Sequence, residues 1–209
     1  LTLALAAAIA AGCAPAATSR DAPAAVAIEE VADGFELPSS VRASGDGSGL
    51  LLIVEQRGRI RALDPRTGEV QREPVLDLAD EVSCCGERGL LDVAPHPDVN
   101  ENGRVFVSYT AQDGALTIDR YAWAADADAG GDVRLDPATR RNVLVVPQPG
   151  EAHNGGSLAF GPDGMLYVGA GEGRYRLFPP QDARRLDTLL GSLLRIDVDA
   201  LPYRVPPDN

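Results

Sequence analysis

The chain has 209 residues, and 31 acidic against 19 basic side chains give it a net charge of −12. This excess of negative charge argues against nucleic acid or an anionic membrane surface as a partner. The chain has three cysteines and two histidines, and no second Cys or His pair stands at ligand spacing, so a zinc site is not expected either.

Residues 1–13 have the features of a secretory signal peptide. Residues 1–12 are small or apolar and uncharged, and this segment is too short to span a bilayer. The sequence Ala-Ala-Gly-Cys that ends at Cys13 resembles a bacterial lipobox, which predicts a lipid anchor on Cys13; an ordinary signal peptide with an incidental cysteine is the alternative. Residues 14–30 predict a flexible tether. We therefore expect an extracytoplasmic protein, in the periplasm or at the cell surface, that contacts the membrane only through its lipid.

From residue 50 onward, short apolar segments alternate with turns rich in Gly, Asp and Pro, a pattern that predicts an all-β fold. In chain order, the predicted antiparallel pairs are 50–54 with 59–63, 105–109 with 116–121, and 165–169 with 193–197. A turn cluster precedes each pair, and the pairs recur roughly every 50–60 residues, as expected of four-stranded propeller blades.

The segment from His153 to Glu172 predicts a site for acid–base chemistry. His153 lies in a predicted loop beside Asn154 and two glycines, directly before a predicted strand, turn and strand. Glu172 follows the second of these strands. Histidine is the side chain whose ordinary pKa lies closest to neutral pH, and a carboxylate beside it can orient the ring. The pattern therefore favours a general base, with a histidine that only caps a turn as the alternative.

Four segments in order resemble the pyrroloquinoline quinone (PQQ)-dependent soluble sugar dehydrogenases, the glucose/sorbosone dehydrogenase family. They are Val54–Ile60 (VEQRGRI), Gly86–Val107 (with GERGLL, APHPD and NGRVFV), His153–Gly171 (HNGGSLAFGPDGMLYVGAG) and Leu190–Asp199 (LGSLLRIDVD). The resemblance covers residues 35–209. It implies a six-bladed β-propeller, of which residues 31–209 form the N-terminal part with about the first three blades. By this resemblance the remaining blades lie beyond residue 209, and the fragment alone would be inactive.

The resemblance also implies a reaction and its residues. An aldose sugar is oxidised at C1 to the lactone, hydride passes to PQQ, and His153 acts as the general base. Glu172 stands where the family has Asp, and Glu87 and Asn154 match positions beside the cofactor and substrate; for Glu87, a solvated loop acid is the alternative. PQQ and calcium are the implied cofactors, most of their ligands lie outside this fragment, and the electron acceptor is not identified.

The two remaining cysteines, Cys84 and Cys85, are adjacent in the sequence. Consecutive Cα atoms lie about 3.8 Å apart, below the usual disulfide range of about 4.4–6.8 Å, so a bridge between them requires local distortion. An oxidising compartment favours such a bridge. The sequence leaves open a vicinal disulfide or two free or separately paired thiols.

A non-catalytic secreted propeller that binds carbohydrate or protein is the alternative function. Asp92 in place of a family glycine, Ala152 in place of a polar residue and the adjacent cysteines favour it, whereas the pairing of His153 with Glu172 favours the enzyme. A metal-dependent lactonase-like propeller is disfavoured, because the carboxylate–amide cluster that it needs is not evident. The second histidine, His96, belongs to a His-Pro-Asp turn and is predicted to be structural.

Overall fold

A computed structural model describes residues 26–124, 132–174 and 185–209 of the chain. The predicted signal peptide, Cys13 and most of the predicted tether lie outside the described residues. Val31–Asn209 form one unit by their internal contacts. This unit is built from three antiparallel sheets that follow one another along the chain.

The first sheet is a meander of four strands with a short fifth strand on its third. Its strands are β1 (Pro38–Ala43), β2 (Leu51–Glu55), β3 (Arg59–Asp64), β4 (Glu69–Val70) and β5 (Leu76–Asp77). The strand β3 pairs with β2, and its two ends pair with β4 and β5. The central strand β2 is buried along almost its whole length, as its run of apolar residues predicts.

The second sheet is a meander of four longer strands. Its strands are β6 (Leu90–Pro95), β7 (Arg104–Thr110), β8 (Leu116–Trp123) and β9 (Leu135–Val146). The short helix α1 (Val99–Asn102) lies between β6 and β7 in the chain. The third sheet has three strands among the described residues, β10 (Gly155–Phe160), β11 (Leu166–Ala170) and β12 (Ser192–Ile196).

All three predicted strand pairs are confirmed, as β2 with β3, β7 with β8, and β11 with β12. Each observed strand begins and ends within two residues of its predicted bounds. The sequence pattern missed β1, β6 and β9, together with the two-residue strands β4 and β5. The strand β1 has only partly buried or exposed side chains. In β9 the single proline is followed by one alanine and four polar residues. Neither strand therefore shows a clear apolar alternation.

The core lies between successive sheets. One group of buried side chains joins the first sheet to the second and includes Leu52, Ile60 and Val93. Another joins the second sheet to the third and includes Phe106 and Leu158. The first strands of the three sheets, β1, β6 and β10, lie next to one another, which is the arrangement of successive blades in a β-propeller. The loops that enter β6 and β10 meet at one end of these strands and form the site described next.

Candidate functional site

His153 lies in the loop that leads from β9 into β10, and both of its backbone polar groups are hydrogen-bonded. Its N–H donates to a carboxylate oxygen of Glu87, and its carbonyl oxygen accepts from the N–H of Gly173 at 2.9 Å. Its φ angle of 56° falls in the left-handed region, which is uncommon for a residue other than glycine. Such a backbone persists when the surrounding structure holds it, as these two contacts do here.

The imidazole of His153 is paired with the carboxylate of Glu172. Nδ1 lies 3.0 Å from Oε1 of Glu172, and the side chain of His153 is 51% exposed whereas that of Glu172 is 19% exposed. A carboxylate can only accept a hydrogen bond, so Nδ1 carries the proton and Nε2 of the neutral ring is an acceptor. The arrangement is a half-exposed imidazole whose orientation and tautomer are held by a mostly buried carboxylate.

Gly171 allows the end of β11 to approach the histidine loop closely. A Cβ atom at Gly171 would overlap the carbonyl group of His153. The N–H of Gly171 also donates to the carbonyl oxygen of Asn154 at 3.1 Å. The absence of a side chain at Gly171 therefore brings Glu172 within reach of the imidazole.

Asn154 lies beneath the loop rather than at its surface. It is 1% exposed, and its Nδ2 donates to the carbonyl oxygen of Gly150 at 3.1 Å. Its Oδ1 and the Oε2 of Glu172 are both buried and lack a hydrogen-bond partner among the described residues. The structure thus brings Glu87, His153 and Glu172 together at the loop surface and places the Asn154 side chain below them.

Glu87 is carried by the loop that precedes β6, and this loop is tied to the first sheet by Gln56. Nε2 of Gln56 donates to the carbonyl oxygen of Gly86 at 2.6 Å, and the N–H of Leu90 donates to the carbonyl oxygen of Gln56 at 2.9 Å. In the same loop Cys84 and Cys85 are exposed and are joined by a disulfide. The loop therefore connects the first sheet, the disulfide and the turn that carries His153.

Arg88 follows Glu87 and contacts the loop that carries His153, and the sequence pattern gave it no role. Its side chain is 17% exposed, and Nη2 donates to the carbonyl oxygen of Gly150 at 3.0 Å. Nη1 lies 3.8 Å from the carboxylate of Glu151. Its position next to Glu87 was the only sign of this contact in the sequence, because the group that Arg88 binds is a backbone carbonyl more than 60 residues away.

The second histidine, His96, fills a structural position between the second and third sheets. Its Nδ1 lies within hydrogen-bond distance of the N–H of Asp98, at 3.0 Å, and of Nδ2 of Asn102, at 2.9 Å. Its ring packs edge-on against Phe160. Burial of the ring lowers the pKa of His96, although the charges of Asp98 and Asp199 oppose the shift. This environment agrees with the structural role predicted from the turn sequence.

No cluster of three or more His, Cys, Asp or Glu side chains that could hold a metal ion is found within residues 26–124, 132–174 and 185–209. None of the helices in those ranges is long and apolar enough to cross a bilayer.

Comparison with known proteins places the chain in a family. Residues 35–209 match the family described as Glucose / Sorbosone dehydrogenase. The chain is 37% identical to Hedgehog-interacting protein of Mus musculus, over 87% of this chain and 28% of that protein. It is 29% identical to aldose sugar dehydrogenase YliI of Escherichia coli K12, over 90% of this chain and 47% of that protein.

Among solved structures, the chain resembles the PQQ-bound form of aldose sugar dehydrogenase from Streptomyces coelicolor. The TM-score is 0.68 and the identity 28%, over 87% of this chain and 50% of that one. The chain thus spans half the length of these relatives or less. The match over residues 35–209 and the β-propeller architecture together show that the chain belongs to the glucose/sorbosone dehydrogenase family.

Proposed function

We propose that this protein oxidises an aldose sugar at C1 to the lactone, with PQQ as its cofactor and His153 as the general base. The observation that carries the proposal is the pairing of a half-exposed imidazole with a mostly buried carboxylate, at 3.0 Å between Nδ1 of His153 and Oε1 of Glu172. Membership of the glucose/sorbosone dehydrogenase family and the likeness to a PQQ-bound aldose sugar dehydrogenase support it.

The chain's own contribution to the reaction is the movement of a proton. Nε2 of His153 takes the proton of the C1 hydroxyl, while Glu172 accepts the hydrogen bond from Nδ1–H and stabilises the imidazolium that forms. A positioned general base contributes about 10²- to 10⁴-fold to a rate. Glu172 is one methylene longer than aspartate, and the fit of Gly171 against the loop lets this longer side chain meet the ring.

PQQ, when bound, supplies the two-electron acceptor for the hydride. The described residues fit the sugar side of such a site rather than the side that holds the carboxylates of PQQ. Glu87 and Glu172 are acids, and the guanidinium of Arg88 is bonded to the carbonyl oxygen of Gly150. We propose that residues outside this chain hold the carboxylates of PQQ and calcium. One oxygen of Glu87 is used by the N–H of His153, and the other is available for a sugar hydroxyl. Asn154, being buried, supports the turn from below.

The same proposal places the protein outside the cytoplasm. The disulfide between Cys84 and Cys85 fits an oxidising compartment, where such bonds persist. The signal-like residues 1–13 agree with export, and Cys13 is the site at which we propose a lipid anchor. We also propose that further chain completes a six-bladed ring.

A binding propeller is the second candidate function. The specific observation that favours it is the 37% identity to Hedgehog-interacting protein, which exceeds the 29% identity to aldose sugar dehydrogenase YliI. In that case the surface around His153 would bind a secreted protein or a carbohydrate without turnover, since one fold hosts many functions.

The test is dye reduction by the intact protein with PQQ, calcium and a panel of aldoses. We expect sugar-dependent reduction that His153→Ala abolishes and that Glu172→Gln lowers by about 10²-fold or more, because the amide cannot stabilise the imidazolium. Glu172→Asp, which restores the charge, should retain more activity than Glu172→Gln. A folded protein that neither binds PQQ nor turns over any aldose would overturn the proposal and leave the binding propeller.

A further inference from the structure

The carbonyl oxygen of Gly150 accepts two hydrogen bonds that together define the turn carrying His153. One comes from Nη2 of Arg88 at 3.0 Å and the other from Nδ2 of Asn154 at 3.1 Å. Only three residues separate Gly150 from Asn154, and His153 is the last of them. The two ends of the turn are thus held at a single oxygen atom.

Arg88 reaches this oxygen from the loop before β6, whereas Gly150 lies in the loop from β9 to β10. Its guanidinium packs on Gly114, where a Cβ atom would lie 2.8 Å from Nη2. The side chain is 17% exposed, so much of its hydration is lost, and its contacts with protein oxygens compensate only in part, because the buried Nε has no hydrogen-bond partner among the described residues. These contacts are the hydrogen bond to Gly150 and the weaker approach to Glu151.

Two consecutive side chains of the loop before β6 therefore act on one turn. Glu87 accepts the hydrogen bond from the N–H of His153, and Arg88 donates to Gly150. The left-handed backbone of His153 requires such support from its surroundings. We propose that Arg88 is a positioning residue, which fixes the turn so that the imidazole of His153 meets Glu172. Arg88 does not touch the reacting atoms, and its consequence for turnover rests on the proposed function.

The positional role can be measured without turnover, by NMR of the imidazole C–H signals. The chain has only two histidines, so the signals of His153 are observed beside those of the buried His96, which reports on folding. We expect Arg88→Ala to shift and broaden the His153 signals while the His96 signals stay unchanged. Arg88→Lys, which retains one donor for Gly150, should restore the parental signals in part.

The matched control is Arg72→Ala, because the Arg72 side chain is 94% exposed at the outer edge of the first sheet. It should leave both sets of signals unchanged. Where Arg88→Ala fails to fold, Arg88→Met keeps an apolar stem against Gly114 without a donor and decides the question. A folded donor-free variant with parental His153 signals overturns the proposal.

Kinetics of the intact protein give the second readout. A misplaced base should lower kcat by about 10- to 100-fold in Arg88→Ala and leave KM unchanged, because the sugar is still bound while the base is out of position. Parental kcat in that variant would overturn the catalytic consequence. Absence of turnover in every protein, combined with altered His153 signals, would instead refute the proposed function and leave the positioning role of Arg88 intact.

Discussion

Nη2 of Arg42 lies 2.6 Å from Oδ2 of Asp92, and this ion pair joins the first strands of the first two sheets. The same carboxylate accepts hydrogen bonds from the hydroxyl of Ser40 at 2.6 Å and from the N–H of Leu158 at 2.9 Å. Asp92 is 3% exposed. One buried carboxylate therefore connects β1, β6 and β10, at a position where the family resemblance leads one to expect glycine.

Replacement of Asp92 by alanine should destabilise the protein by about 3 kcal/mol. The buried N–H of Leu158 would lose its acceptor, and Arg42 would lose its partner. The estimate lies at the low end of the range for buried ion pairs because the Arg42 side chain is 42% exposed. Urea unfolding measures the change, with Asp33→Ala at an exposed position as the control. Equal stabilities of the two variants would show that Asp92 does not join the sheets.

Gly169, within β11, and Gly171, just after its end, offer a matched pair of substitutions two positions apart. Gly171→Ala should separate β11 from the histidine loop, because its Cβ would overlap the carbonyl of His153. Gly169→Ala meets no atom closer than 3.8 Å and should be tolerated. We expect an overpacking loss of about 1–3 kcal/mol in the first variant only, measured by thermal or urea unfolding. A tolerated Gly171→Ala would mean that the close approach is not required.

His96 predicts a pH dependence of stability. Burial lowers the pKa of His96 from its ordinary value of 6.5, so the folded state prefers the neutral ring that accepts hydrogen bonds at Nδ1. The unfolded chain then binds more protons below about pH 6.5, and the contribution of His96 to stability, fully present above that pH, is lost as pH falls through the lower folded pKa. Arg104, Asp98 and Asp199 are the charged groups that act on this ring.

The measurement is the free energy of unfolding of the parent and of His96→Asn between pH 8 and pH 5. The variant should be less stable at pH 8 by about 1 kcal/mol, through lost hydrogen bonding. The difference between the two proteins should shrink on acidification. Parallel curves would contradict the assignment.

Reduction of the disulfide between Cys84 and Cys85 should disturb the candidate site. The exposed disulfide lies two residues before Glu87, in the loop that supplies both Glu87 and Arg88 to the histidine turn. Under the proposed function, we expect kcat to fall, by up to about 100-fold if the imidazole is misplaced by 1 Å. The double variant Cys84→Ser, Cys85→Ser should show the same loss and no further response to reductant. Unchanged kcat after titration of two new thiols would show that the loop holds its position without the bond.

The strand pairs of the fold could be predicted from sequence because their information is local. Segments such as 105–109 are apolar runs bounded by turn residues, and β7 pairs with β8 through a short loop. The strand β1 escaped because its side chains are largely exposed and one of its polar residues, Arg42, is held by a partner 50 residues away. Its place beside β6 depends on contacts between sheets, and the sequence pattern does not display these.

The sequence by itself determined the all-β class, the strand pairs and the motif in which His153 and Glu172 stand in order. Periodicity and turn chemistry act over a few residues, so they can be read along the chain. Only the tertiary structure decided that Arg88 holds Gly150, that Asn154 is buried and that Asp92 joins three strands. The contacts of Arg88 and Asp92 join atoms from separate loops or sheets, and the burial of Asn154 depends on the depth of its side chain in the packed unit. Both kinds of feature arise only when the sheets assemble.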